Sequence, residues 1–204
     1  SYVPPFYKGK ALHPMQGILK IVALPEFVIK GARTSPSNLI YKWSNDVATY
    51  HSQSGYGKNF LILKGSLLGK SENVKVLVTN PANNMSARGS INIDPIDPEI
   101  VFYQNDSYYG YIFDSAVSGA FKLSGDEVQV LAAPYYFTKE KAGGLTYEWR
   151  LNNQAVPELA GSRTAIFKKP EGGVGSSAVN LQVTNVRRIL QQAENSLTIN
   201  FENK

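Results

Sequence analysis

The chain has 204 residues, 43% hydrophobic and 18% charged, with 17 glycines, 11 prolines, 12 tyrosines and a formal net charge of +5. That length fits one large or two small domains, and the apolar content argues against disorder. There is no cysteine, which excludes disulfides, thiolate metal sites and cysteine nucleophiles.

The basic residues are scattered, and only Lys168-Lys169 and Arg187-Arg188 are adjacent pairs. A nucleic-acid binder more often gathers them into a stripe, so no nucleic-acid partner is expected and the charge reads as solvated surface. No stretch approaches the roughly 18 apolar residues of a membrane span, so none is expected in this chain. The opening Ser1-Tyr2-Val3-Pro4-Pro5 is not a signal peptide. A start on serine leads to the expectation of an earlier segment removed by processing or by design, with room for a signal or an anchor.

In chain order, Pro4-Pro5-Phe6-Tyr7 is extended, because proline lacks a backbone donor and disfavours helix before it. It is expected to be an edge segment whose aromatics cover a first sandwich. Residues 18–24 alternate, with Leu19, Ile21 and Ala23 on a wholly apolar face assigned to the core. Pro25 then breaks the ladder. Residues 127–133 and Pro134 repeat the arrangement, which predicts a strand that bends or switches sheets at an edge. Residues 31–38 read as a loop. The next strand, Leu39-Ile40-Tyr41-Lys42-Trp43, returns as Leu145-Thr146-Tyr147-Glu148-Trp149. Tyr41, Trp43, Tyr147 and Trp149 are the predicted core anchors, since a large aromatic belongs at the centre of a sandwich.

A strand at Asn59-Phe60-Leu61-Ile62-Leu63 is matched by residues 163–167, and residues 65–72 and 170–177 are matched turns. The Gly172-Gly173-Val174-Gly175 run has no Gly-Lys-Ser/Thr after it and reads as a flexible turn, not a phosphate loop. Val74, Val76 and Val78 share one inward face, as do Val179, Leu181 and Val183. Both strands end in Val-Thr-Asn. The spacing from Trp to Asn is 37 residues in the first copy (43 to 80) and 36 in the second (149 to 185). Ser90-Ile91-Asn92-Ile93 and Ser196-Leu197-Thr198-Ile199 close the two copies, and residues 187–194, which could also form one helical turn, are read by the repeat as an extended hairpin arm. One domain is written twice.

Between the copies lies Asp94-Pro95-Ile96-Asp97-Pro98-Glu99, a stiff, hinge-like junction. The predicted domains are therefore 1–95 and 96–204, the second carrying tyrosine-rich extra strands at its start. Asp94, Asp97 and Glu99 offer the oxygen ligands that calcium prefers and are weak metal candidates. The EF-hand pattern is absent, and a polar linker is the primary reading. Ile100-Val101-Phe102-Tyr103 echoes Pro5-Phe6-Tyr7. Tyr103, Tyr108, Tyr109 and Tyr111 are the candidate binding residues, because tyrosine is amphipathic and enriched at recognition surfaces. The primary reading of this stretch is nonetheless extra strands packed at the junction.

The two histidines, His13 and His51, have no metal-ligand spacing. No Gly-x-Ser-x-Gly elbow occurs, and the acidic residues group only in the linker. Neither an enzyme nor a cofactor is expected.

The Tyr-x-Trp strand, the Val-x-Val-x-Val-Thr-Asn strand and the closing Ser-Ile-x-Ile strand resemble the immunoglobulin-like modules of bacteria, the PKD-like type above all. Residues 18–94 and 127–202 cover that pattern twice, and each copy has an additional aromatic N-terminal segment. The resemblance implies an all-β chain of two tandem Ig-like (PKD-like) β-sandwiches. It also implies an extracellular or cell-envelope module used for spacing, adhesion or assembly. The expected partners are another protein or a second copy of the chain. The alternative is a carbohydrate-binding accessory module presenting Tyr108, Tyr109 and Tyr111, or Tyr50 and Tyr56, to a surface glycan.

Overall fold

Period-two alternation broken by turn residues leaves paired strands in stacked sheets as the way to bury these side chains. The computed structural model describes residues 2–29, 31–65, 70–123, 125–138, 144–171 and 173–201. Among the described residues there are seventeen strands, three short 3-10 turns and no α-helix. They fall into two compact units, Met15–Ile96 and Ser1–Pro14 with Asp97–Lys204. Each is an immunoglobulin-like β-sandwich.

The smaller unit contains β1 (Ile18–Val22), β2 (Val28–Ile29), β3 (Ala32–Arg33), β4 (Ile40–Ser44), β5 (Gly55–Tyr56), β6 (Phe60–Lys64), β7 (Glu72–Thr79) and β8 (Ser86–Ile93). One sheet is the antiparallel pair β1-β6 and the other has the order β5-β4-β7-β8. Leu61 and Leu63 of the first sheet meet Tyr41, Trp43, Val74 and Val78 of the second, with Leu19, Ile21 and Ala23 half-buried against them. Trp43 is 1% exposed, and its indole N–H donates to the Lys58 carbonyl at 2.9 Å.

The larger unit contains β9 (Glu99–Asp106), β10 (Gly110–Val117), β11 (Gly119–Leu123), β12 (Glu127–Tyr135), β13 (Leu145–Leu151), β14 (Gln154–Ala155), β15 (Thr164–Lys168), β16 (Gly175–Asn185) and β17 (Gln192–Phe201). Its sheets are β10-β9-β12-β15 and β11-β17-β16-β13-β14, with β11 parallel to β17. Trp149 is 2% exposed, with Phe102 and Phe167 ring centroids 5.8 and 6.1 Å away. Its indole N–H donates to the Ser162 carbonyl at 2.9 Å, the counterpart of the Lys58 bond. Pro134 lies within β12, opposite Ile100 of β9. The Ala132 N–H donates to Arg163 on the other flank, so alternation turns the proline nitrogen to that flank, past the start of β15. No ladder bond is lost there.

The Val-Thr-Asn ends are turn organisers. The Asn80 side-chain oxygen accepts from the Asn84 and Met85 N–H groups at 3.1 and 3.0 Å. The Asn185 side-chain oxygen accepts from the Arg187 N–H at 3.0 Å, and its amide donates to the buried Gln191. Both asparagines are buried, and these bonds satisfy polar groups that burial would otherwise penalise. Residues 186–191 form turns between β16 and β17, so the hairpin arm expected at 187–194 is extended only from Gln192. Parts of the turns expected at 65–72 and 170–177, namely residues 66–69 and Gly172, lie outside the described residues.

The opening segment requires a correction. Its aromatics cover the larger unit, not the sandwich that follows in the chain. Phe6 stacks on Phe113 at 3.6 Å and meets Tyr103 edge-on at 5.3 Å. The sheet β10-β9-β12-β15 offers an aromatic outer face, and phenyl rings find more contact there than on the aliphatic face of β1.

Trp43→Ala and Trp149→Ala should each destabilise their unit by about 3–5 kcal/mol through lost transfer energy and a residual cavity. Hydrogen exchange of β4 and β13 amides, read against chemical denaturation, checks this. Parental protection in either variant would contradict the inward placement.

Candidate functional site

The tyrosines that the sequence brings forward separate into a buried set and an exposed pair. Asp106 ends β9, and its carboxylate oxygen accepts from the Tyr108 and Tyr109 N–H groups at 2.8 and 3.0 Å. This Asx-type cap turns the chain, and Gly110, at φ +74°, takes it back into β10. The hairpin tip therefore projects two adjacent rings, Tyr108 at 92% and Tyr109 at 84% exposure. Their backbone is fixed by the cap and by the strand pair beneath.

Tyr111 is half-buried, its ring centroid 5.9 Å from Phe113. Tyr103 is only 7% exposed, and its hydroxyl shares a 2.8 Å hydrogen bond with Tyr135. A candidate binding residue in the sequence, Tyr103 is instead a wall of the aromatic cluster and offers no face to a ligand. Its burial follows from the opening segment, whose contact the sequence pattern did not disclose. The cluster continues through Tyr7, whose hydroxyl shares a 2.8 Å hydrogen bond with Tyr136 and whose ring meets Tyr135 edge-on at 5.3 Å. Tyr136 adopts φ +60°, an uncommon backbone state for a bulky residue. The Tyr136 N–H donates to the Tyr2 carbonyl at 2.8 Å and the Tyr2 N–H to the Phe137 carbonyl at 2.5 Å, which helps hold that geometry.

The hydrogen bond shared with Tyr7, followed by burial, pushes the Tyr136 phenol up to about 12. Burial raises Tyr135 further, with the Tyr103 hydrogen bond next. Burial also raises Tyr147, and the nearby Arg163 guanidinium offsets part of that rise, although the Tyr147 hydroxyl makes no well-formed hydrogen bond. In the smaller unit the Tyr50 hydroxyl donates to Glu72, and the Asn45 amide donates to the same carboxylate oxygen at 2.8 Å. Burial, then the Glu72 hydrogen bond, pushes Tyr50 up to about 12. This phenol is a pin between loop and strand, while Tyr56 stays exposed.

Tyr41, Trp43, Tyr147 and Trp149 all lie within the two cores. Asp94, Asp97 and Glu99 are exposed and, among the described residues, belong to no group of three or more potential metal ligands. No helix among the described residues is long and apolar enough to cross a membrane.

No protein-family model matches the chain, and no curated protein matches it either. Among solved structures it is similar to the three N-terminal domains of the highly immunogenic outer capsid protein Hoc of bacteriophage RB49. That similarity is 14% identity over 93% of this chain and 56% of that one, at a TM-score of 0.47. The chain thus spans little more than half the length of that structure. It is also similar to fibronectin(III)-like modules of Clostridium thermocellum CbhA, at 9% identity over 98% of this chain and 92% of that one, TM-score 0.28. A third is the Bacteroides ovatus glucan-utilization protein SGBP-B, solved with a mixed-linkage heptasaccharide, at 14% identity over 97% and 46%, TM-score 0.27. The fold assignment rests on the strand order and registers above.

The raised phenols fix the sign of the alkaline response. Each folded pKa lies above the unfolded value of 10.0, so the stability these groups contribute is fully present below pH 10 and is lost as pH rises through about 12. Absorbance titration near 295 nm should show exposed tyrosines ionising first and a second group ionising with unfolding. Tyr7→Phe should lower the Tyr136 phenol toward the first group, and an unchanged titration would show that the Tyr7 contact does not hold the phenol.

Proposed function

We propose that the chain is a non-enzymatic structural or adhesive module of the extracellular space or cell envelope, working through protein–protein contacts. The observation that carries this reading is the hairpin tip with Tyr108 and Tyr109 side by side and exposed. An exposed ring leaves apolar surface in water, and capping removes backbone entropy that a binding event would otherwise have to remove. Tyrosine adds a large contact area and a hydroxyl for little rotamer entropy, the combination that makes it an anchor in recognition loops. The sandwich beneath acts as spacer and support. The buried tyrosines belong to that support and the tip to the partner.

The test uses the whole chain carrying a photo-crosslinking phenylalanine analogue at position 109, exposed to intact envelope preparations. The expected result is a protein adduct that excess unlabelled chain suppresses and that excess Tyr108→Ser/Tyr109→Ser chain suppresses at least about tenfold less well, as for loss of a hot-spot pair. Equal competition by the two chains would remove the tip from the interface. Retention on a glycan array through the same two tyrosines would replace the protein partner by a sugar.

A further inference from the structure

Among the described residues, the facing sheets of the larger sandwich contain three strands, β9, β10 and β11, that have no counterpart in those of the smaller one, and the place of β9 is open. In the larger unit, Val130–Pro134 of β12 pair with Gln104–Ile100 of β9, and Phe102 reaches inward to stack on Trp149. Matching Pro134 with Pro25 places Ile21–Pro25 where Val130–Pro134 stand. The inner edge agrees: the Ala132 N–H donates to Arg163 and the Ala23 N–H to Asn59, both at 2.8 Å. The outer edge does not agree. In the smaller unit β1 pairs, among the described residues, with β6 alone.

What lies there is a cleft of ≈ 290 Å³, lined by the same Ile21–Pro25 stretch, by Trp43 and by Ala87, Gly89 and Ile91 of β8. On the inward face Ala132 is fully buried beside β9, whereas Ala23, at the matching position, is only half-buried. Alternation turns the main-chain groups of Val22 and Leu24 toward the unpaired edge. A row of unpaired donors and acceptors beside an apolar slot is a template for one more strand.

We propose that this cleft accepts an extended segment of another polypeptide, added antiparallel to β1, in a register equivalent to that of β9. The surface is distinct from the tyrosine tip, and the proposal stands whether or not that tip binds. The larger unit supplies the pattern of the occupant. Two alternate inward side chains, a branched aliphatic and then an aromatic, would stand as Ile100 and Phe102 do, the second against Trp43. Charge sets a further position. Gln129 of β12 faces Asn105 of β9, and the residue matching Gln129 is Lys20, a cation. Among the described residues the only charged side chain lining the cleft is Arg88. The donated segment therefore carries a carboxylate at the position facing Lys20. The chain's own opening segment does not supply the strand in this structure, since Tyr2, Phe6 and Tyr7 are bonded or stacked within the larger unit.

The experiment measures binding of a labelled peptide with the sequence Ile100-Val101-Phe102-Tyr103-Gln104-Asn105-Asp106 to the full chain by fluorescence anisotropy. Saturable binding is expected. Weakening of at least about tenfold is expected for the peptide with Phe102→Ala and for the peptide N-methylated at its Val101 and Tyr103 amides, which face β1 in this register. Asn105→Asp in the peptide should tighten binding at low salt, and Asn105→Lys should weaken it. In the protein, Gly89→Leu fills the cleft. A Cβ there meets only the Val76 side chain, at 3.6 Å, so the variant is expected to fold, as thermal unfolding will show. It should bind the peptide at least about tenfold more weakly, since its side chain occupies the place of the peptide's aromatic anchor. Undiminished binding by a folded Gly89→Leu chain or by the N-methylated peptide, or no binding at all, overturns the proposal. A dimer of the chain in sedimentation that the peptide dissolves would instead put a second copy in the cleft and overturn the assignment to a different polypeptide.

Discussion

Each unit depends on one indole between two sheets. A tryptophan brings more apolar area to a small core than any other side chain, but its N–H must find an acceptor when buried. Trp43 uses the Lys58 carbonyl and Trp149 the Ser162 carbonyl, each in the segment just before the strand that packs over the ring, β6 or β15. The ring thus ties its own strand to the opposite sheet by packing and by a directional bond. Small sandwiches bury a limited fraction of their surface, so this single residue carries a large share of the core.

The rest of each sandwich is arranged around how that ring is covered. In the larger unit Phe102 and Phe167 flank Trp149 from one sheet while Leu181 and Ile199 lie in the same core from the other. The outer face of β9 and β12 is then sealed by Phe6 and Tyr7. In the smaller unit no strand among the described residues is equivalent to β9, and the aliphatic side chains on the outer face of β1 remain in water. Ile18, Val22 and Leu24 are exposed there, and the Lys20 ammonium lies 4.3 Å above the ring of the exposed Phe60 of β6. An Ig-like fold tolerates this because the remaining sheet, β5-β4-β7-β8, still closes over the indole.

The duplicated features were legible in the sequence because each is a local pattern with one physical solution. Period-two alternation fixed which faces of residues 74–78 and 179–183 turn inward, and the Tyr-x-Trp spacing put both aromatics of each strand on the core side. The repeated asparagine was visible as a strand ending, but its service as a buried turn organiser needs the positions of Asn84, Met85 and Gln191. What escaped was non-local. Nothing in Pro4-Pro5-Phe6-Tyr7 says which of two sandwiches it will cover, because an extended aromatic segment fits any apolar sheet. Tyr103, Tyr108, Tyr109 and Tyr111 look alike as residue types. Only the cap by Asp106 and the stacking of Phe6 and Phe113 separate the exposed pair from the buried wall.

The missing strand is also a statement about local stability. Cooperative units with fewer buried apolar contacts and more exposed main-chain edges open at lower free energy than the cores around them. Among the described residues β1 has a single strand neighbour, while its counterpart β12 lies between β9 and β15. Residues 18–25 are therefore held less firmly than their counterpart β12, although they contact the indole that orders the smaller core. A strand added at that edge would bond the main-chain groups turned toward it and brace Trp43 in one step. Binding there and consolidation of the smaller sandwich are thermodynamically one event, since a ligand that favours the closed core stabilises it by the same free energy with which that core favours the ligand.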